Sequence, residues 1–427
     1  MTELRPYQQR SVNAVLEAWR DGAKRVLLVS PTGSGKSRMC AEVTAREGGS
    51  SRWVVHRREL AEQAPGDAIT VQKMISSGGR PEADVLVIDE AHHFCEGAPE
   101  FFRAVNGYGK VLGATATPCR SDGAALGSMF DHMVVAANYS ELIADGWLVP
   151  CRAFRPKEEI AGVAEDPASA WRRLAGNQQG FAFFSRVEQA KKFVHALRDR
   201  DDLFARSRAA AVWGEMPEEE RINALSSFRR GALRCLANAQ LLTEGVDVPQ
   251  ASVCLLATGC DHVGSFLQRV GRVLRPAPEK TSALLIDLSG ASHRFGLPTD
   301  DREYSLDGRP IRSKVEALRV CQKCGCTYPT ADGACPSCGF LPSPPPVRLN
   351  VLHMDLEEVI SSPDATPKQK KIARALQNKW GDATRDELMD EFHRLRDLAV
   401  AKGYRRGWAF WQFKLRTGID LKDARNR

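Results

Sequence analysis

The stretch from Val26 to Ser37, VLLVSPTGSGKS, constrains this chain more than any other. An apolar run of strand length gives way to a turn of small residues, and Lys36 and Ser37 open the helix-like run MCAEVTA. A buried strand that passes through such a turn into a helix points backbone N–H groups at one spot. The helix N-terminus adds its positive end there, so the spot holds phosphate oxygens. In this reading Thr32, Gly33, Ser34 and Gly35 wrap the phosphates, Lys36 reaches the terminal ones and the Ser37 hydroxyl holds Mg²⁺. The strict pattern places glycine six residues before the lysine, where this chain has Ser30. The alternative is an ordinary glycine-rich turn, and the residues further along the chain decide between the two.

Strands and helices alternate beyond the loop. Arg52 to Leu60 (RWVVHRREL) reads as a short strand running into a helix, and Ile69 to Met74 (ITVQKM) as a short strand and turn. Val85 to Ile88 is an apolar strand that ends in Asp89-Glu90-Ala91-His92, and Val111 to Pro118 (VLGATATP) is a strand closed by proline. A second set begins after Pro150, with strands at 180–184, 209–213, 234–239, 252–258 and 283–288 and helices at 187–197 and 218–230. Residues 288–312 read as loop and hairpin. This rhythm predicts two tandem parallel α/β domains, 1–150 and 151–312, with polar residues gathered at the C-terminal strand edge. A cysteine module at 313–345 and a basic helical region at 346–427, led by the proline-rich LPSPPPVRLN, complete the organisation.

Composition bounds the partners. A chain of 427 residues with 43% hydrophobic and 26% charged residues builds ordinary cores and is not a disordered protein. No run reaches the roughly 18 apolar residues that a membrane helix needs, and MTELRPYQQR carries no apolar signal segment. The expectation is a soluble cytoplasmic protein. The net charge is +7, and residues 361–427 alone carry sixteen Lys/Arg against nine Asp/Glu, an excess of the same size. A basic segment of that kind suits a polyanion, or is a solvated helical face.

Beside a phosphate loop, an acidic pair at the end of a second apolar strand supplies what nucleotide hydrolysis needs. Asp89 holds Mg²⁺ and Glu90 orients and deprotonates the attacking water. Arginines that neutralise the transferring phosphoryl group are offered by Gln268-Arg-Val-Gly-Arg272-Val-Leu-Arg275. Arg272 and Arg275 are three apart and share a helix face.

Together these residues resemble a superfamily 2 helicase of the DEAH-box kind over residues 4–290. LRPYQ resembles the adenine-recognition motif, SPTGSGKS motif I, VVHRREL motif Ia and DEAH motif II. GATATP resembles motif III, LLTEGVDVP motif V and QRVGRVLRP motif VI. The resemblance implies two RecA-like domains with ATP bound between them. It implies adenine contact by Gln8 beside Arg5, and coupling of hydrolysis to domain movement by His92, Thr115 and Thr117. Thr243, Glu244, Gly245 and Asp247 would line the cleft from the second domain, with Gly245 and Asp247 toward nucleotide and Thr243 toward nucleic acid. Gln268, Arg272 and Arg275 would sense the γ-phosphate, and Arg57 would contact a nucleic-acid phosphate. The segment between Leu60 and Ile69 is shorter than the family's, so domain 1 is abbreviated.

Cys321-x2-Cys324 and Cys335-x2-Cys338 have the spacing of a four-thiolate structural Zn²⁺ site, with an iron–sulfur cluster as the alternative. Cys326 is a fifth cysteine in the module and a competing ligand, and the other seven are scattered and read as buried small residues. The terminal GYRRGWAFWQFK pairs Arg405 and Arg406, suited to nucleic-acid phosphates, with Trp408 and Trp411, which read as a helical core stripe. This module narrows the resemblance to RadD-type and phage-encoded helicases. The implied activity is DNA translocation or unwinding on single-stranded or forked DNA, in repair, recombination or phage replication. Partners of the class of a single-stranded-DNA-binding protein are implied. An RNA helicase and an ATP-switched binding module are the alternatives.

Overall fold

A computed structural model describes residues 3–55, 64–76, 83–93, 99–118, 126–157, 160, 162–198, 208–239, 247–307, 318–320, 327–329, 339–340, 351–352, 354–359, 384–401, 409 and 413. Fifteen strands are described. In chain order β1 to β6 are Arg25–Val29, Ser51–Val55, Asp67–Thr70, Val85–Asp89, Lys110–Thr115 and His132–Val135. Strands β7 to β12 are Cys151–Pro156, Gly180–Phe184, Ala209–Trp213, Cys235–Ala239, Val253–Leu256 and Ala283–Asp287. The last three are β13 (Leu318–Val320), β14 (Thr327–Pro329) and β15 (Leu356–Val359).

The first six form one sheet in the order β3-β2-β4-β5-β1-β6. All its pairings are parallel. Such a sheet is covered by helices on both faces, which is why RVLLV and VLVI are apolar throughout rather than alternating. The register pairs Val29 with Thr115 and Asp89 with Ala114, so the phosphate loop, the acidic pair and the Thr115–Thr117 turn all leave the sheet at one edge. Close packing beneath that edge needs Gly113, where a Cβ would overlap the Phe130 ring.

The second sheet runs β15-β7-β12-β11-β8-β10-β9 and is parallel except for β15. That strand pairs antiparallel with β7, and Glu357 and Glu358 reach Arg155 and Arg152 across the pairing. Chain beyond the cysteine module therefore returns to cover an edge of the second sheet, where bare backbone groups would otherwise lie open.

Two local elements differ from the sequence expectation. Residues 71–76 form a short helix directly after β3, where a plain turn is expected. The described part of the 288–312 region, 288–307, contains a short helix, Ala291–Phe295, where loop is expected. The buried Asp287 carboxylate explains the second helix, because it accepts from the N–H groups of Ala291 and Ser292 and from the hydroxyls of Ser289 and Ser292. The abbreviated segment before Ile69 still supplies β3 as an edge strand.

Two crossings of the chain hold the sheets together. In the first, Val149 N–H donates to the Leu274 carbonyl at 2.8 Å. In the second, residues 297–307 turn back from the second sheet onto the first. The Asp301 carboxylate there accepts from Ser140 N–H at 2.9 Å and Ser140 Oγ at 2.6 Å, and Tyr304 and Leu306 pack on the first domain's core. The apolar core itself runs without a break from Tyr7 and Val12 through Leu148 to Phe266 and Leu274. No helix among the described residues is long and apolar enough to cross a membrane. Asp301→Ala removes two hydrogen bonds to a charged acceptor, and a loss of about 1–3 kcal/mol in unfolding free energy is expected by denaturant titration.

Candidate nucleotide site between the two sheets

The phosphate loop is built as its sequence demands. Gly33 and Gly35 have φ of +86° and +89°, a left-handed backbone that side chains rarely adopt. Helix Lys36–Glu47 follows with Gly35 as its N-cap, so no side chain closes its first turn and its amide end is left for an anion. Ser30, the departure from the strict pattern, donates from Oγ to Ser34 Oγ at 2.6 Å and braces the loop from beneath. Lys36 is 8% exposed, and its ammonium is held only loosely, 3.4 Å from the Ser30 carbonyl and 3.9 Å from Glu90 Oε1.

The acidic pair stands at the end of β4. Asp89 Oδ1 accepts from Glu90 N–H, and Glu90 has φ of +49°, a strained conformation for a residue with a side chain. Cys40, one turn into the helix from Lys36, feels both Asp89 and Lys36. Burial pushes the Cys40 thiol far up, so it stays an inert neutral group.

His92 joins the two sheets. Its Nδ1 lies 2.9 Å from Thr115 Oγ1 and its Nε2 lies 3.0 Å from Gln268 Nε2. Thr115 Oγ1 donates to the Thr117 carbonyl and accepts from Thr117 N–H. The network matches the tautomer in which Nδ1–H donates to Thr115, with Glu90 Oε2 also 3.6 Å from Nδ1, and Nε2 accepts from the Gln268 carboxamide. Gln268 belongs to helix Val263–Gly271, which follows β11 in the second sheet.

Three glycine contacts close the seam around this bond. A Cβ on Gly271 would come within 2.6 Å of Thr32 Cβ, and one on Gly264 within 2.9 Å of Thr117 Oγ1. One on Gly33 would come within 2.9 Å of Arg275 Cγ and Nε. Arg275 lies over the phosphate loop and pairs with Asp247 from the segment before β11. Arg272 is 6% exposed at the end of the same helix. Lys280 fastens the carbonyls of Pro249 and Ala251 at 2.9 and 2.6 Å, and burial pulls its pKa down to about 7.

The first turn of helix Pro6–Arg20 is clamped to the loop from the other side. Arg5 N–H donates to Gln8 Oε1 at 3.1 Å, Gln8 Nε2 donates to the Ser34 carbonyl at 2.8 Å, and Tyr7 OH donates to the same carbonyl. Burial raises the Tyr7 phenol pKa against the opposing pull of Arg5, so it remains a donor. Tyr7, Gly264 and Gly271 escape sequence reasoning, although Tyr7 stands inside LRPYQ and Gly271 inside QRVGR. Arg57, Thr243, Glu244, Gly245, Arg405, Arg406 and the four paired cysteines, Cys321, Cys324, Cys335 and Cys338, lie outside the described residues.

Residues 1–77 match the family described as type III restriction enzyme, res subunit, and residues 169–277 match the helicase conserved C-terminal domain. Both segments match helicase-type families, and the chain is similar to the superfamily 2 helicases. The two sheets have the mixed α/β, parallel-sheet architecture of RecA-like domains. A Schizosaccharomyces pombe protein named for a mitochondrial ATP-dependent helicase, irc3, is 26% identical over 70% of this chain. The chain spans 59% of that relative's length. A 51.5 kDa protein of a Lactococcus phage is 26% identical over 73% of this chain and 77% of its own length. Among solved structures, a fragment of an HsdR-type subunit of a type I restriction enzyme from Vibrio vulnificus YJ016 shares the fold. Its TM-score is 0.56, with 22% identity and coverage of 72% of this chain and 67% of that one.

The seam contacts carry a test. Gly271→Val drives a side chain into Thr32 and displaces the helix that carries Gln268. A fall of roughly a hundredfold in ATP hydrolysis is expected from a displacement of about 1 Å, and unchanged steady-state hydrolysis would show that the closed seam is not the working geometry.

Proposed function

We propose that this chain is an ATP-dependent DNA helicase or translocase. One observation carries the reading. The acidic-pair strand and the arginine-bearing helix, from different sheets, meet in a single buried hydrogen bond between His92 and Gln268. A site assembled from two bodies makes its chemistry depend on their separation, which is how hydrolysis becomes movement.

The residues present suit ATP with Mg²⁺. The loop has an uncapped helix N-terminus and a loosely held lysine. The Thr32 and Thr117 hydroxyls at the seam are buried and have no hydrogen-bond partner among the described residues. In this reading Thr32 to Ser37 hold the phosphates, Ser37 and Asp89 hold Mg²⁺, and Arg5 and Gln8 hold adenine. Bound Mg²⁺ draws charge from the phosphate oxygens. Glu90 orients the attacking water and takes its proton, and Arg272 and Arg275 offset charge on the transferring group. His92, Thr115 and Thr117 report the state of the site to the second domain through Gln268, with Gly245 and Asp247 lining the cleft.

The domain limits follow the same division: 1–150 and 151–312 for the RecA-like pair, 313–345 for a zinc ribbon and 346–427 for a basic helical region. The short antiparallel pair β13 and β14 brackets Cys321 and Cys324, which supports a ribbon in which they join Cys335 and Cys338 on Zn²⁺. Arg57, Thr243, Arg405 and Arg406 contact nucleic acid. Relatives named as DNA 3′-5′ translocase XPB2 from Sulfurisphaera tokodaii and DNA 3′-5′ helicase XPB from Kineococcus radiotolerans support DNA as the track. A role in repair, recombination or phage replication, with a single-stranded-DNA-binding protein nearby, fits such a motor in the cytoplasm.

The test is ATP hydrolysis by the full chain with single-stranded DNA, forked DNA and RNA of equal length across a salt series, beside strand displacement. Stimulation by DNA with displacement is expected, and Lys36→Ala and Glu90→Gln should each abolish turnover. Stronger stimulation by RNA would overturn the choice of track. Hydrolysis without displacement or translocation on any substrate would leave a nucleotide-switched clamp.

A further inference from the structure

The phosphate loop is joined to a stacked pair that no motif names. The Arg5 guanidinium lies over the indole of Trp147, 4.3 Å from the ring centroid. Both side chains are half-buried. Arg5 also donates from Nη1 to Tyr7 OH at 3.2 Å, while its backbone N–H holds Gln8. Gln8 and Tyr7 both end on the Ser34 carbonyl. Guanidinium, carboxamide and phosphate loop are therefore one connected unit, and Trp147 backs it.

Trp147 is itself fixed from two sides. Its backbone N–H donates to the Leu142 carbonyl at 2.7 Å, within helix Tyr139–Ala144. Two residues on, Val149 N–H donates to the Leu274 carbonyl beside Arg275. Trp147 thus stands on the first crossing between the domains, held to the first sheet's helix on one side and to the arginine-bearing segment on the other.

A guanidinium is planar, and its long side chain leaves that plane free to turn unless something holds it. An aromatic face holds it by cation–π attraction and leaves the opposite face of the cation for a second flat ring. With phosphates in the loop, the base of a nucleotide extends past Ser34 toward Arg5 and Gln8, a direction that rests on the proposed ATP site. We infer that Trp147 is a positioning residue for the nucleobase: it fixes the Arg5 guanidinium as the middle layer of an indole–guanidinium–purine stack. Trp147 does not touch the phosphates, so its contribution belongs to the base alone.

The experiment is equilibrium binding by calorimetry with the full chain carrying Glu90→Gln, so that ATP is not turned over. The ligands are Mg-ATP and inorganic tripolyphosphate, which has the phosphates without the base. Trp147→Ala should weaken ATP roughly tenfold, the scale of a partly buried cation–π contact, and leave tripolyphosphate within about twofold. Trp147→Phe should restore most of the loss. Arg5→Ala should match Trp147→Ala, and the double variant should be no weaker than Arg5→Ala alone. Equal losses for both ligands in Trp147→Ala, unrelieved by Trp147→Phe, would mark a fold defect and overturn the inference. So would undiminished ATP binding in Trp147→Ala when the parent binds both ligands. A parent that binds neither ligand would overturn the ATP reading, and this inference with it.

Discussion

The bond between His92 and Gln268 sets the geometry on which the site depends. Both side chains are buried, at 3% and 5% exposure. Burying polar groups is costly unless they are hydrogen-bonded. One ring nitrogen is committed to Thr115 inside the first domain, so the other is left to meet the second. That requirement fixes how the domains face each other more sharply than apolar contact could, because apolar packing tolerates sliding and a two-sided hydrogen bond does not. The glycine contacts of Gly33, Gly264 and Gly271 then permit the approach that the bond demands.

The rest of the fold supports that register. The 145–150 crossing is tied to the end of the arginine-bearing helix, and the 297–307 crossing is tied to Ser140. Phe295 packs on Phe266 of that helix, with ring centroids 5.8 Å apart, so the second crossing begins beside the element that carries Gln268. Movement of the domains is thereby limited to rearrangements that these two tethers allow. The left-handed backbone at Glu90 sits at the centre of this framework, and such strain persists where the surroundings hold it in place.

Much of this was legible in the sequence because phosphate chemistry restricts residue type and spacing so strongly. VLLVSPTGSGKS and VLVIDEAH announce buried parallel strands with polar C-terminal ends, and both strands lie where expected. Pairings between distant segments were not legible. Nothing in GWLVP indicates that Trp147 meets Arg5, and nothing in LPTDDREYS indicates a return to the first domain, since such contacts depend on how whole sheets pack. The helix at 291–295 leaves no sequence signal because it is a single turn, held by one buried carboxylate rather than by an amphipathic pattern. Gly264, Gly271, Tyr7 and Trp147 would each be unremarkable in a loop; their places at the site arise from what stands opposite them.

The proposed ATP site requires the two domains to meet through His92 and Gln268. A double-mutant cycle on kcat for ATP hydrolysis, with His92→Ala, Gln268→Ala and the pair, measures this contact directly. Either single change should lower kcat and the double variant should be scarcely worse, a coupling of about 1–3 kcal/mol between residues in contact. Fully additive losses, or no loss from either change, would contradict that requirement.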